Sequence, residues 1–127
     1  MEQVIKINYR SVFKYEDHNE SVDYHEVGTL NTLDEGRVIS FSHDGNHMEI
    51  GLYDSYISLR NGKANLKLVQ DRRILNQYVT DYGIMDLTTK LVSQDTNNGV
   101  KIKYQLYDGG TLMSEVYVLV TYVILEN

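Results

Sequence analysis

Apolar and polar side chains alternate with a period of two along nearly the whole chain. Ile5, Ile7, Tyr9 and Phe13 interleave with Lys6, Asn8 and Arg10, the pattern of a strand with one face in a core and one in water. Val22, Tyr24, Glu26, Gly28 and Leu30 form a second run, with Asp23 and His25 opposite. Further runs follow over 37–42, 48–52, 57–59, 66–68, 74–79, 85–91 and 100–106. Between them stand Asp44-Gly45, Asn61-Gly62, Asn98-Gly99 and Asp108-Gly109-Gly110. These residues accept the positive φ that tight hairpin turns require. Strands recurring every 8–12 residues predict an all-β sandwich or barrel. No stretch carries a capped stripe at helical spacing, so little helix is expected, with one short turn near Asp71–Arg73.

The segment Val116–Leu125 departs from the pattern. Val116, Val118, Val120, Tyr122 and Ile124 fill one face, and Tyr117, Leu119, Val123 and Leu125 fill the other. A strand apolar on both faces is expected to be covered on both. A homodimer through Val116–Leu125 is one cover, and another segment of the same chain is the other.

Composition narrows the function classes. The 127 residues contain no Cys, Pro or Trp, but 11 Tyr. This length suits one domain over 1–127. Without cysteine there is no disulfide framework and no thiolate chemistry, which fits a cytoplasmic setting. No signal peptide or membrane span is legible. Twelve basic against 18 acidic residues leave a net charge of −6, which argues against nucleic acid as a partner. Within this acidic chain Arg60, Lys63, Lys67, Arg72 and Arg73 lie close together, with only Asp71 among them.

Catalytic motifs are absent from the sequence: no nucleophile elbow and no cysteine nucleophile, so no enzymatic activity is expected. Asp86 and Glu115 sit on apolar strands, but alternation places both toward solvent. His43 and His47 flank the Asp44-Gly45 turn, which puts His43 opposite Asn46 and His47 opposite Ser42. Their rings then leave on opposite faces and cannot share a tetrahedral ion, so no metal and no cofactor are expected. Glu26 shares the face of Val22, Tyr24 and Leu30, and a buried carboxylate needs a cation. Arg37 is the nearest in sequence. A two-residue Asn61-Gly62 turn sets Arg60 opposite Lys63 and Tyr56 opposite Lys67. Such a like-charge pair is relieved by an acid or by an anionic ligand between them.

Three short segments carry a family resemblance: Thr80-Asp81-Tyr82-Gly83 opening an apolar strand, Arg60-Asn61-Gly62 in a central hairpin, and Gly28-Thr29-Leu30 late in the second strand. Together with the order of elements from about residue 4 to 124, the chain resembles the YwiB-like family of small Gram-positive bacterial proteins. Asp81 stands where that family has proline. The resemblance implies a calycin-like (lipocalin-like) antiparallel barrel with an interior cavity; the family has no assigned reaction.

The expected architecture is therefore a single antiparallel lipocalin-like barrel of eight to ten strands. The expected function is binding of a small amphipathic or anionic molecule inside it. Its apolar part would meet Ile5, Ile7, Leu52, Leu87, Ile102 and Tyr104. Arg60, Arg73, Tyr78, Tyr82 and Tyr104 are the candidate binding residues: cations for an anionic end, and phenols that pair an apolar body with one hydroxyl. The alternative is an interaction protein without a ligand, dimerising through its last strand.

Overall fold

The computed structural model describes residues 1–125. Its strands are β1 (Glu2–Lys14), β2 (Asn19–Leu33), β3 (Gly36–His43), β4 (Asn46–Tyr53) and β5 (Ile57–Asn61). β6 (Ala64–Leu68), β7 (Arg73–Thr80), β8 (Gly83–Asp95), β9 (Val100–Asp108) and β10 (Thr111–Ile124) complete the set. All pair antiparallel in the order β6-β5-β4-β3-β2-β1-β10-β9-β8-β7. Consecutive strands are hydrogen-bonded except β6 and β7, and β1 also pairs with β10, with Ile7 opposite Tyr122. The two edges of the sheet are thus β6 and β7, which are consecutive in the chain. The sheet curls until these edges approach, giving a nearly closed all-β barrel with no helix among the described residues.

Closure at this seam depends on side chains. Lys67 of β6 donates its backbone N–H to Asn76 Oδ1 (2.8 Å), and its carbonyl accepts from Thr89 Oγ1 (2.6 Å). Asn76 Nδ2 donates in turn to Thr89 Oγ1 (3.0 Å) and to the Ile74 carbonyl (3.1 Å). Asn76 and Thr89 are both buried. Their side chains replace the missing strand partner, because a buried backbone group left unpaired would be costly. Just beyond, the chain runs briefly parallel to β8, with Leu91 N–H donating to the Val69 carbonyl and Asp71 N–H to the Leu91 carbonyl. It then reverses at Asp71, whose φ is 58°. The short helical turn expected near Asp71–Arg73 is therefore a tight reversal. Its peptide groups are spent on Leu91 and Val69 instead of on a helical turn.

The turns otherwise follow their chemistry. Asp44 and Gly45, with φ of 50° and 80°, join β3 to β4, with His43 opposite Asn46 and Ser42 opposite His47 as expected. The β5–β6 hairpin differs. Gly62 and Lys63 occupy the turn, so Asn61 pairs with Ala64 and Arg60 with Asn65. With φ of 61°, Gly62 suits the first central position of a type II′ turn. The like-charge Arg60–Lys63 pair does not form. Lys67 pairs with Ser58, and its ammonium lies 4.7 Å over the Tyr56 ring.

At Gly28 the barrel wall divides. β2 pairs with β3 only from Thr29 to Leu33, while residues 19–28 continue along β1 alone. A Cβ on Gly28 would lie 2.1 Å from the Ser40 carbonyl oxygen, so only glycine lets the strands cross this closely. The wedge is filled by a stack. Tyr24 lies between His43 (3.8 Å) and Tyr9 (5.5 Å), ring centre to ring centre. His43 Nδ1 meets Glu26 Oε1 at 3.0 Å. Glu26 thus finds a histidine at the surface, and Arg37 instead donates to the Thr96 carbonyl.

On the outer side of β10 no segment among the described residues lies across the strand. Leu119 is 39% exposed and Val123 65%. The ammonium groups of Lys14 and Lys103 sit 5.0 and 5.3 Å from the Tyr117 ring centre.

Candidate functional site

The inward rows of the barrel change character along its axis. Ile5 and Ile7 of β1, Val120 of β10, Val100 of β9 and Leu68 of β6 have no solvent exposure at all. Further along the same strands the inward positions become Tyr9, Phe13, Phe41, Met48, Tyr78, Leu87, Tyr104 and Leu106. These surround an open space of about 210 Å³. Aliphatic and β-branched side chains interlock across the first region. The longer aromatic rings stand along the walls of the second and leave a gap between them.

The cavity opens where β6 and β7 diverge. Asn61, Ala64 and Tyr78 line both the cavity and a wider groove between the β5–β6 turn and the β7–β8 hairpin. Its walls are mainly apolar, with three phenols set among them from β9, β1 and β7. Tyr104 is 4% exposed. Burial pushes its phenol far above the ordinary value, and the neighbouring Tyr9, Tyr78 and Tyr15 phenols add to that. Burial also raises Tyr9, against the Ser11 side chain, which lowers it; Tyr24 and Tyr78 contribute further upward pressure.

Among the described residues, the charged groups that line the cavity are Arg60 and Glu49. Arg60 and Glu49 are paired positions on β5 and β4, and both border the opening. Arg60 Nη1 lies 3.9 Å from Glu49 Oε2, and Arg60 Nε donates to the Gly62 carbonyl at 3.2 Å. The same Glu49 oxygen is 2.9 Å from His47 Nε2. Cation and anion are therefore already matched at the mouth.

Of the candidate binding residues, Arg60, Tyr78 and Tyr104 border this cavity. Tyr82 is fully exposed in the β7–β8 turn and lines the outer groove. Arg73 is outside the cavity, its guanidinium 4.4 Å from the centre of the Tyr107 ring. Of the apolar residues expected around a ligand, Leu87 and Tyr104 are there, whereas Ile5, Ile7, Leu52 and Ile102 belong to the packed core. Tyr9, Phe41, Met48 and Leu66 take their place. Tyr9 was legible as the third member of the Ile5–Ile7–Tyr9 row, but its depth in the barrel was not.

The carboxylates and histidines outside the cavity form separate local pairs. Glu115 is held by Lys103 Nζ at 3.0 Å, which raises the lysine above its ordinary value. Asp86 pairs across the strand with Gln77, away from Glu115. His18 lies between Asp17 (2.6 Å) and Glu20 (3.3 Å), and His25 Nδ1 meets Asn8 Oδ1 at 2.5 Å. Among the described residues no three His, Cys, Asp or Glu side chains are grouped to hold a metal ion. No helix there is long and apolar enough to cross a membrane.

No family model matches the chain, and no curated protein matches it in sequence. Among solved structures it is similar to the ywiB protein from Bacillus subtilis. The two share 15% sequence identity and superpose with a TM-score of 0.75, over 94% of this chain and 92% of the other. At that identity the likeness establishes a common fold. The barrel implied by the sequence resemblance is thus the barrel observed.

Proposed function

We propose that the protein is a non-enzymatic binding protein that holds one small amphipathic molecule inside the barrel. The observation that carries this reading is the cavity: an apolar space with three phenols, reached through a built opening between β6 and β7. Its volume sets the size of the guest. At about 210 Å³ it exceeds a void of roughly 150 Å³ that accepts benzene. It is smaller than the roughly 300 Å³ at which pockets for drug-sized ligands begin. A single ring with a short substituent, or a short chain, fits. The cysteine-free sequence suits a cytoplasmic setting for this role.

Titration with 4-ethylphenol, followed by protein amide shifts, tests the reading. Binding is expected to move resonances of Tyr9, Tyr78 and Tyr104 and to be lost in Ala64→Trp, where the indole fills the space beside β6. Absence of shifts in the native protein removes the reading.

A second reading rests on the outer face of β10, where Leu119 and Val123 remain exposed: a homodimer through Val116–Leu125 with no ligand. A single-chain mass by light scattering at high concentration removes it.

A further inference from the structure

We infer that the cavity selects a neutral guest carrying a hydrogen-bond acceptor, such as a carbonyl, held among the hydroxyls of Tyr9, Tyr78 and Tyr104, and that it rejects the matching anion. This rests on the binding reading above and adds the chemistry of the head group.

The donors come first. Tyr104 sits on β9, Tyr9 on β1 and Tyr78 on β7, and all three border one space. Tyr104 and Tyr78 hydroxyls make no hydrogen bond to another group among the described residues. No wholly buried side-chain oxygen or nitrogen there is left without a partner, so these hydroxyls face the open space rather than the packed wall. A phenol offered to a mainly apolar cavity is best satisfied by an acceptor that meets it there. The surroundings that hold Tyr104 in its neutral form disfavour any other negative charge placed beside it.

The cations come second, because an anion could still enter if one were free to meet it. Arg60 is matched by Glu49 and by the Gly62 carbonyl. Glu49 also stands at the rim, where its carboxylate repels an approaching anion. Arg73 is outside, stacked on Tyr107, and Lys63 stands in the outer groove, not among the residues that line the cavity. A carboxylate entering this cavity would lose its hydration and gain phenol hydrogen bonds but no counter-charge, which is an unfavourable exchange. A ketone, ester or amide loses little hydration and gains the same donors.

Three ligands with one ring and different head groups test this at pH 7.5: acetophenone, ethylbenzene and benzoate. Dissociation constants come from amide-shift titrations of the full chain. Acetophenone is expected to bind about fivefold more tightly than ethylbenzene, the worth of one or two net hydrogen bonds. It is expected to bind at least about tenfold more tightly than benzoate. Tyr104→Phe should cut acetophenone affinity about three- to tenfold and leave ethylbenzene unchanged or slightly tighter. Tyr78→Phe, at a less buried position, provides the same comparison should Tyr104→Phe unfold. Benzoate binding as tightly as acetophenone, and weakening in Arg60→Gln, overturns the inference in favour of an anion site. Equal affinity for acetophenone and ethylbenzene also overturns it. Where 4-ethylphenol binds and this order is absent, only the head-group inference fails. Where none of the four binds, the binding reading fails with it.

Discussion

The same strands build both ends of the barrel, yet one end is solid and the other hollow. At the solid end Ile5, Ile7, Val100, Val120 and Leu68 meet across the axis with no exposed surface. At the hollow end Tyr9, Tyr78 and Tyr104 share the interior with a space of about 210 Å³. The walls differ as well. Nine strand pairs are joined by backbone ladders, whereas β6 and β7 are tied by the side chains of Asn76 and Thr89 and diverge toward the hollow end. A hollow region costs packing energy. Here it coincides with the seam between the two sheet edges and with three phenols. Space, opening and hydrogen-bonding groups are the three features that the proposed binding would use together.

The largest expected effect separates the ends by stability. Ile7→Ala should cost about 2–5 kcal/mol in urea unfolding, because it opens a new void among side chains that cannot relax far. Leu66→Ala, which widens a space already present, should cost less than half as much. Equal losses would show that the hollow end is packed in solution and would break the comparison.

Next in size is the seam. Asn76→Ala leaves the Lys67 N–H and the Thr89 hydroxyl short of a partner, which should cost about 1–3 kcal/mol. A purely global loss would raise exchange at all protected amides together. The seam account expects the Lys67 amide to lose protection first, by more than amides in the β1–β2 ladder, as measured by hydrogen exchange.

How far the sequence foretold this can be judged at particular residues. Alternation and hairpin chemistry were enough for the antiparallel barrel, and at Asp44-Gly45 they also predicted the pairing of His43 with Asn46. The β5–β6 hairpin shows the limit. The expected and observed registers differ by two residues on one strand, and a two-residue slip leaves every side chain on its original face. Hydrophobic pattern is blind to such a slip; only the turn geometry at Gly62 decides it. The seam was invisible for a different reason. Asn76 reads as one polar residue in an alternating run, and nothing local reveals that its amide completes β6, the opposite edge of the sheet. For the site, alternation assigns a residue to the inside but not to a depth. Ile5 and Tyr9 were equally inward candidates. The arrival of Ile5 at the solid end and Tyr9 at the hollow one follows from where the strands cross, and Gly28 is one of the points that set that crossing.

The smallest effect probes whether the hollow end is dry. In the unfolded chain Tyr104 ionises near its ordinary value of 10.0; burial in the barrel raises it well above that. The folded state therefore retains a proton that the unfolded state loses. The stabilisation is fully present below about pH 10 and is lost as pH rises toward the folded value, by about 1.4 kcal/mol per pH unit for one such group. Tyr9 shifts in the same direction, so the native protein should destabilise steeply between about pH 10 and pH 11.5. Tyr104→Phe should remove about one proton from that slope, visible as a smaller fall in the urea midpoint over this range. If bulk water filled the cavity and solvated the phenolate, Tyr104 would ionise near its ordinary value in both states. The variant and the native protein would then show the same slope, and the contrast between a solid and a selectively hollow end would reduce to one between a core and a wet cleft.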